Sequence, residues 1–352
     1  MVKFAWPDLI SAVINGSDLS SEQTAWAMDQ VMQGATSPIV LAGFLTALAT
    51  KGETTDEFLG LADSMQSHAE KISLPTDSID IVGTGGDRLR TVNISTMASV
   101  VIAAGGVPVV KHGNRASSSK SGSADCLEAL GINLDLSIAG VEEAFGKLGI
   151  TFLFANKFHP SMRFAAQARK ELAVPTAFNV LGPLTNPAHP QAGAIGVSRA
   201  HQAPLVAGVL AKRQNRALVF RGKNGLDELS TVVPNEIWEV RGGEVTFSEV
   251  DAVSELGLKA ATIDDLLGDD AEFNARVATR VLHGEKGSVR DAVVLNAAGA
   301  FVADGRLDGV CPDQGTLVER LRRGIDIATD VIDSGRAQQL LRDWVNLSKT
   351  LR

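Results

Sequence analysis

Tyrosine is absent from the 352 residues of this chain, and cysteine occurs only twice. Without tyrosine, the chain has no phenol that could serve as an acid or a base. Cys126 and Cys311 form no C-x-x-C motif, and the six histidines show no zinc-ligand spacing. We therefore expect a protein of a reducing compartment that has no zinc site.

Long apolar runs are also missing. No run reaches the ~18 residues that a membrane-spanning helix needs. The first ten residues lack an apolar signal core and a small-residue cleavage site. The sequence thus predicts a cytoplasmic protein. A net charge of −8 argues against binding to nucleic acid or to anionic lipid.

Helix and strand signals change near residue 74. The first 71 residues predict only helices, because capping boxes at Ser20 and Thr54 and a Ser37-Pro38 start precede helical patterns. Short strands then alternate with helices, as in βαβ units with a parallel sheet. The predicted fold class is α/β, with a small all-helical N-terminal domain (1–73) and a larger α/β domain (74–352) whose central sheet is mostly parallel and flanked by helices. Predicted strands are Ile79–Val82, Val107–Val110, Ile150–Ala155, Gly193–Val197 and Ala217–Arg221, before a hairpin over 236–248.

A polar, basic segment from Lys111 to Ser123 follows the second predicted strand. It contains three cations, five serines and two glycines, and Ala116 is its only apolar side chain. A short helical pattern, Ala124–Leu130, comes directly after it. Backbone N–H groups at a helix start and Lys or Arg charges both stabilise an anion. The segment predicts a phosphate site, and a solvated basic loop is the alternative.

A glycine-rich stretch, Gly83-Thr84-Gly85-Gly86-Asp87, ends the first predicted strand. Loops at the carboxyl ends of parallel strands form the ligand crevice, and glycines let the backbone approach a ligand closely. The stretch is not a dinucleotide fingerprint, because Arg88 stands where the third glycine would fall, and it is not a Walker A loop. It predicts a ligand-binding turn, with an ordinary tight turn as the alternative. A dinucleotide-dependent dehydrogenase is disfavoured.

Three further polar groups are candidates for binding. Asn93-Ile94-Ser95-Thr96 opens a helix and could cap it or hold a phosphate and its metal ion. Asp227-Glu228 follows a strand, where carboxylates suit magnesium, although adjacent acidic pairs are also common on surfaces. Arg163 and Arg169 lie on one predicted helix, and one of them could clamp a carboxylate.

Six motifs cover much of the chain: G-T-G-G-D (83–87), N-I-S-T (93–96), K-H-G-N-R-A-S-S-S-K-S-G-S (111–123), H-P-S-M-R with R-K-E-L (159–172), N-V-L-G-P-L-T-N-P-A (179–188) and G-L-D-E-L (225–229). Their combination resembles the anthranilate phosphoribosyltransferases, tryptophan-pathway enzymes of the nucleoside phosphorylase-like phosphoribosyltransferase group. The resemblance implies a Mg²⁺-dependent transfer of the phosphoribosyl group of 5-phosphoribosyl 1-pyrophosphate (PRPP) to the amine of anthranilate. It also implies a helical domain completed near residues 170–190 and a homodimer formed through that domain.

The resemblance also assigns roles to individual residues. It implies no single catalytic acid or base, and it leaves Lys111 and His112 as candidates for stabilising charge. The implied PRPP contacts are Gly83, Gly86, Asp87, Thr91, Asn93, Ile94, Ser95, Thr96, Lys111, His112, Gly113, Asn114, Arg115, Ala116, Ser117, Ser118, Ser119 and Ser123. The implied anthranilate contacts are Gly83, Asn114 and Arg169, and the implied magnesium ligands are Ser95, Asp227 and Glu228.

Two positions depart from the family's motifs. Arg88 stands where a glycine is expected after G-T-G-G-D, and Ala173 stands where R-K-E-L-G is usual. If position 88 requires a positive φ, arginine is strained there or the loop changes shape. Arg88 and Arg90 also add positive charge near the expected pyrophosphate site.

Two other functions are consistent with some of these sequence features. A pyrimidine nucleoside phosphorylase has the same architecture but takes inorganic phosphate and needs no metal pair, so Asp227-Glu228 and the K-H-G-N-R motif favour the transferase. A non-catalytic nucleic-acid-binding relative would need an extended basic surface, which the net charge of −8 disfavours. The expected partners are therefore PRPP, anthranilate and a second copy of the chain, without nucleic acid or membrane.

Overall fold

The structure is a computed structural model that describes residues 4–116 and 120–351. Its helices, in chain order, are α1 (Trp6–Ile14), α2 (Ser21–Met32), α3 (Pro38–Lys51), α4 (Thr55–Ser67), α5 (Ile94–Ala104), α6 (Ser123–Ala129), α7 (Ile138–Leu148), α8 (Ala155–Phe158), α9 (Arg163–Leu172), α10 (Phe178–Leu181), α11 (Ala203–Lys212), α12 (Ala271–Leu282), α13 (Ser288–Asp304), α14 (Leu317–Asp333) and α15 (Arg336–Thr350). Its strands are β1 (Ile79–Gly83), β2 (Val109–Gly113), β3 (Ile150–Phe154), β4 (Ala192–Gly196), β5 (Arg216–Gly222), β6 (Asn235–Arg241) and β7 (Glu244–Val250).

These elements form two compact units. The helical unit holds the described residues of Met1–Lys71 together with Ala155–Pro187, and the α/β unit holds those of Ile72–Phe154 and Ala188–Arg352. In the helical unit, α2 packs along α4, and α9 packs against α3. Across both described ranges, no helix is long and apolar enough to cross a membrane.

Local capping signals determine where the first helices begin. Ser20 and Thr54 each form a reciprocal capping box with the residue three positions later. The Ser37 hydroxyl accepts a hydrogen bond from the backbone N–H of Val40, and Pro38 occupies the first helical position. The three predicted helix starts are confirmed.

A seven-stranded sheet forms the centre of the α/β unit, in the order β3-β2-β1-β4-β5-β6-β7. The first five strands of this order are parallel, and β6 and β7 are antiparallel to their neighbours. The predicted hairpin turns at Gly242 and Gly243, which both have positive φ, as tight hairpin turns require. Residues of α5 and α13 pack with the strands in the apolar core. The predicted α/β class with a mostly parallel sheet is confirmed.

Two predicted boundaries were wrong. Helix α4 ends at Ser67 instead of near Lys71, and the backbone N–H of Glu70 donates to the Phe158 carbonyl at 2.8 Å. Strand β2 spans Val109–Gly113 rather than 107–110, so the first three residues of the predicted loop are in the sheet. The strand continues because β3 supplies register partners as far as Gly113.

Both departures from the family's motifs fall on left-handed backbone. Arg88 has a φ of 63° and Ala173 has a φ of 49°, and Arg90 adds a third such position with 58°. A side chain in this region is strained, whereas glycine is not. Ala173 is the C-cap of α9, where its N–H bonds the Arg169 carbonyl at 3.2 Å. The chain therefore carries local strain at these three positions, where glycine would remove it.

Ala173→Gly is expected to stabilise the protein by about 0.5–1 kcal/mol. The strain energy that glycine removes from the folded state exceeds the entropic cost of making the unfolded chain more flexible. The matched control is Ala166→Gly, the same change at an exposed interior position of α9. It should destabilise by about 1 kcal/mol. Thermal unfolding followed by circular dichroism measures both, and a lower midpoint for Ala173→Gly would contradict the expectation.

Candidate active site

The order of the parallel strands reverses between β1 and β4. Strands β2 and β3 lie on one side of β1, while β4 and β5 lie on the other. Such a switch point opens a crevice at the carboxyl ends of the strands. Gly83 and Gly196 are register partners there. A Cβ on Gly83 would lie 2.3 Å from Asp227 Oδ2, and one on Gly196 would lie 1.7 Å from the Asp227 carbonyl oxygen, so these glycines let an acidic loop pack on the strand ends.

Asp227 and Glu228 are buried and join two of the sequence motifs. The N–H of Gly85 donates to Asp227 Oδ2 at 2.6 Å. The N–H of Ser95 donates to Glu228 Oε1 at 3.2 Å. The loop after β5 therefore holds both the glycine-rich stretch after β1 and the start of α5.

Burial raises the pKa of both acidic residues. The pKa of Asp227 lies well above its ordinary value because of burial first, and then because of the charges of Asp87 and Glu228. Burial raises the pKa of Glu228 to about 7, although the Lys111 charge acts in the opposite direction. Three carboxyl groups thus repel one another in a small space. A divalent cation bound among them would relieve that repulsion.

The donor atoms available to such a cation are all oxygens. They are the carboxylates of Asp87, Asp227 and Glu228 and the hydroxyl of Ser95. Among the residues whose positions are described, no three His, Cys, Asp or Glu side chains are arranged to hold a metal by themselves. Mg²⁺ prefers oxygen ligands and usually keeps waters or substrate phosphates in its coordination shell. The arrangement fits an ion that shares its coordination with a phosphate ligand.

Lys111 lies inside the sheet, with only 1% of its surface exposed. Its Nζ donates to the Ile81 carbonyl at 2.5 Å and to Ser95 Oγ at 3.3 Å. Burial lowers the pKa of Lys111, while the charges of Asp80 and Glu228 act to raise it. Positive charge therefore reaches the site from a strand of the sheet, and not only from a surface loop. His112 is also buried, and its N–H donates to Asp80 Oδ1 at 3.1 Å.

The residues of the N-I-S-T motif differ in their burial and in their hydrogen bonds. Asn93 is the N-cap of α5, but its side chain makes no capping bond, which corrects the predicted cap. Ile94 and Thr96 are buried, and within the described ranges Thr96 Oγ1 has no hydrogen-bond partner. Ser95 is half-buried and contacts Lys111 through its hydroxyl. Thr91, just before the motif, is half-buried and pairs with Leu267.

Part of the positive charge of the basic segment is already paired with acidic residues. Arg115 forms ion pairs with Asp125 at 3.0 Å and with Glu128 at 2.5 Å, and it lies over the Phe154 ring. Asp125 Oδ2 also accepts the backbone N–H groups of Ala116 and Gly122, each at 2.9 Å. The ends of the loop are thus held together by an acidic residue that the sequence analysis did not select.

The other predicted PRPP contacts of this segment differ in how far the structure describes them. Asn114 is exposed and Gly113 is half-buried at the end of β2. Ser123 begins α6, and its Oγ donates to the Asn114 carbonyl at 3.3 Å. Ser117, Ser118 and Ser119 lie outside the described residues.

Another predicted PRPP contact, Gly86, lies in the glycine-rich stretch. It has a φ of 80°, which only glycine adopts without strain.

Arg169 belongs to the helical unit. It is half-buried, its guanidinium lies 5.3 Å from the centre of the Phe178 ring, and burial lowers its pKa. No carboxylate pairs with it in the part of the chain that the structure describes. Arg163, six positions earlier, is exposed and lies over Phe164. Of the two arginines, Arg169 is the better placed to bind a carboxylate ligand.

Two residues near the switch point were missed from the sequence. Ser198 follows β4, its N–H donates to Thr84 Oγ1 at 3.1 Å, and its hydroxyl donates to the Gly85 carbonyl at 2.9 Å. Asp80 is a charged residue in the middle of a buried strand, and it holds the backbone of His112. The isolated acid in I-D-I was a signal for Asp80, whereas a serine after a strand is too common to single out.

Comparisons with known proteins identify relatives over the whole chain. Residues 75–338 match the family model "Glycosyl transferase family, a/b domain", and residues 7–69 match "Glycosyl transferase family, helical bundle domain". The chain is 55% identical to anthranilate phosphoribosyltransferase of Arthrobacter sp. (strain FB24), over 98% of this chain and 96% of that protein. The structure of the enzyme from Thermus thermophilus superposes with a TM-score of 0.89 at 40% identity, over 97% of this chain and 99% of that one.

A more distant relative has been solved with ligands. Anthranilate phosphoribosyltransferase from Saccharomyces cerevisiae, in complex with PRPP and Mg, superposes with a TM-score of 0.86 at 27% identity, over 98% of each chain. The match to the first relative spans nearly the full length of both proteins, and both family models fit in the expected order. The chain therefore belongs to the anthranilate phosphoribosyltransferase family.

Proposed function

We propose that this protein transfers the phosphoribosyl group of PRPP to the amine of anthranilate and releases pyrophosphate, a step of tryptophan biosynthesis. The observation that carries the proposal is the meeting of segments around Gly83, Lys111 and Asp227 at one switch point of the sheet. This site combines buried acids, a buried ammonium group and backbone donors, as a metal-chelated diphosphate requires. The 55% identity to the Arthrobacter enzyme supports the same reaction.

Magnesium fits the oxygen donors of this site. We infer that Asp227, Glu228 and Ser95 hold the ion, because their packing with Asp87 concentrates negative charge that a cation would balance. When bound, the ion would neutralise charge on the pyrophosphate leaving group. The presence of PRPP and Mg in the yeast relative supports the assignment.

The residues of the chain mainly align the reactants and stabilise charge. Anthranilate carries an aromatic amine that is already unprotonated at neutral pH, so no strong base has to activate it. The amine nitrogen bonds to C1 of the ribose as the C1–O bond to pyrophosphate breaks, and the configuration at C1 inverts. The nitrogen, cationic once bonded, then releases one proton to solvent. Lys111 and backbone N–H groups near Gly85 stabilise the departing oxygens, and Arg169 holds the anthranilate carboxylate.

The reaction can be followed directly. We expect anthranilate fluorescence to fall when the purified protein is given PRPP and Mg²⁺, with one pyrophosphate released for each anthranilate consumed. Phosphorolysis of thymidine or uridine without anthranilate consumption would identify a pyrimidine nucleoside phosphorylase instead. A salt-dependent gel shift with DNA, and no turnover of either kind, would favour the nucleic-acid-binding alternative.

We also propose a homodimer formed through the helical unit, which includes Ala155–Pro187. Ile14 and Ile39 are 70% and 84% exposed. A depression between α1 and α3 is lined by small residues that include Ala42, Gly43 and Thr46. Exposed apolar side chains beside small residues suit helix packing between subunits. Light scattering should give twice the mass of the chain, and a monomer at micromolar concentration would refute this proposal.

We further infer a cytoplasmic location. Both Cys126 and Cys311 are free thiols in the structure, as expected in a reducing compartment. A fusion to a fluorescent protein should fractionate with cytoplasmic markers, and recovery with the membrane or the medium would contradict the inference.

A further inference from the structure

A buried asparagine on α12 contacts the start of α5, although 181 positions separate the two residues. Asn274 is 2% exposed. Its Nδ2 donates to Asn93 Oδ1 at 2.8 Å, and its Oδ1 accepts the N–H of Asp269 at 3.0 Å. Both ends of the amide are in use, so a flip of the side chain would break two hydrogen bonds at once. Asn274 therefore fixes the orientation of Asn93, the N-cap residue of α5.

Asn93 is held on another side by the basic segment. Ser121 Oγ donates to Asn93 Oδ1 at 3.2 Å, and Asn93 Nδ2 donates to the Ser121 carbonyl at 3.3 Å. These bonds account for the absence of a capping bond from Asn93 to α5. The N-I-S-T motif and the 111–123 segment, both proposed to bind PRPP, are thus joined through one side chain.

The backbone just before Asn93 is supported by the segment that leads into α12. Residues 266–270 run beside residues 90–92, and the N–H of Gly268 donates to the Arg90 carbonyl at 2.8 Å. A Cβ on Gly268 would lie 2.8 Å from Asn274 Oδ1, so this segment and the asparagine are closely packed. The side chain of Asn274 therefore stabilises both the segment 266–270 and the motif beside it.

We propose that Asn274 is a positioning residue for the phosphoribosyl donor, acting through Asn93. The proposal depends on the proposed function, because it assumes that PRPP is bound by both segments that Asn93 joins. Donor groups on two separate segments bind one diphosphate sugar well only when their spacing is fixed, and displacement by about 1 Å weakens several hydrogen bonds together. Asn274 touches no reacting atom, so its loss should affect binding of PRPP and not the acceptor.

The sharpest variant is Asn274→Asp. It keeps an oxygen to accept the Asp269 N–H but replaces the donor to Asn93 with a second acceptor, which repels Asn93 Oδ1. We expect KM for PRPP to rise about tenfold or more, while KM for anthranilate stays within about twofold and kcat changes less than about threefold. Direct calorimetric titration with PRPP and Mg²⁺ should show the same weakening.

A control on the same helix separates positioning from stability. Val281→Ala removes a buried side chain of α12 that makes no part of this network. It should lower the melting temperature and leave KM for PRPP within about twofold of the parent. In a double-mutant cycle, Asn93→Ala combined with Asn274→Asp should be no worse than Asn93→Ala alone, because the second residue acts through the first.

Three results would overturn the proposal. They are an unchanged KM for PRPP in Asn274→Asp, an equal rise of both KM values, and additive effects in the double variant. If Asn274→Asp does not fold, Ser121→Ala tests the same junction from its other side, with a selective rise in KM for PRPP expected and an unchanged value contradicting the proposal. Failure of the parent protein to consume anthranilate would refute the proposed function instead.

Discussion

Asp227→Asn is expected to lower kcat/KM for PRPP by about 100-fold or more and to remove the dependence of the rate on magnesium concentration. Asparagine still offers an oxygen to the Gly85 N–H, so the loop keeps its hydrogen bond, but the negative charge that a cation requires is gone. The fold should not suffer. Because burial and neighbouring acids raise the pKa of Asp227, its charge opposes folding, and the variant should melt at the same or a higher temperature.

Asp304→Asn is the matched control for this prediction. Asp304 is also buried, but it pairs with Arg306 at 2.7 Å and with Arg216 at 3.4 Å. Neutralising it removes the negative charge that balances those two arginines. We therefore expect a lower melting temperature, and kcat/KM within about twofold of the parent. Rate measurements across a magnesium titration, together with thermal unfolding, cover both variants. Unchanged activity and an unchanged magnesium response in Asp227→Asn would show that Asp227 is not a metal ligand.

The opposite outcomes expected for these two aspartates follow from their surroundings. Asp304 has arginine partners in the folded protein, so its charge stabilises the fold. Asp227 is packed beside Asp87 and Glu228, and no cation of the protein pairs with it in the described structure. Natural proteins place such unfavourable charge mainly where a ligand will balance it. The stability of this site should therefore increase when the ion and PRPP bind.

Features determined by nearby residues could be predicted from the sequence. The helix starts at Ser20 and Thr54 depend on a residue three positions away, and the hairpin depends on Gly242-Gly243. The glycine-rich stretch was correctly placed at a strand end because βαβ units leave loops there. The family motifs added the rest of the architecture, including the unit that contains Arg169.

Features that depend on distant residues could not be predicted. Lys111 was assigned to a loop because the apolar run of the predicted strand ends at Val110. Its burial is compensated by the Ile81 carbonyl, 30 positions earlier. Arg115 looked like a free cation, and its partners Asp125 and Glu128 are helix residues that face it only after folding. Asn274 lies in an ordinary helical pattern, and only the fold brings it to Asn93.

Arg169→Ala should raise KM for anthranilate by roughly 30- to 100-fold and leave KM for PRPP within about twofold, because a charge-assisted bidentate bond contributes about 2–3 kcal/mol. Burial lowers the pKa of Arg169, but arginine stays protonated, so its guanidinium remains available to a carboxylate. Stacking on Phe178 holds the side chain in place. Arg169→Lys should recover only part of the loss, since an ammonium group cannot form the two parallel bonds of a guanidinium.

Arg163→Ala is the control for Arg169, because it removes an exposed arginine from the same helix. Both KM values of this variant should stay within about twofold of the parent, since exposed charges contribute little to a site they do not touch. Substituted anthranilates give a second test. An analogue without the carboxylate should bind the parent and Arg169→Ala equally poorly, because the lost group and the lost guanidinium form one interaction. If Arg169→Ala still discriminates against that analogue as strongly as the parent and Arg163→Ala do, the carboxylate is held by another residue and Arg169 serves only the packing around Phe178.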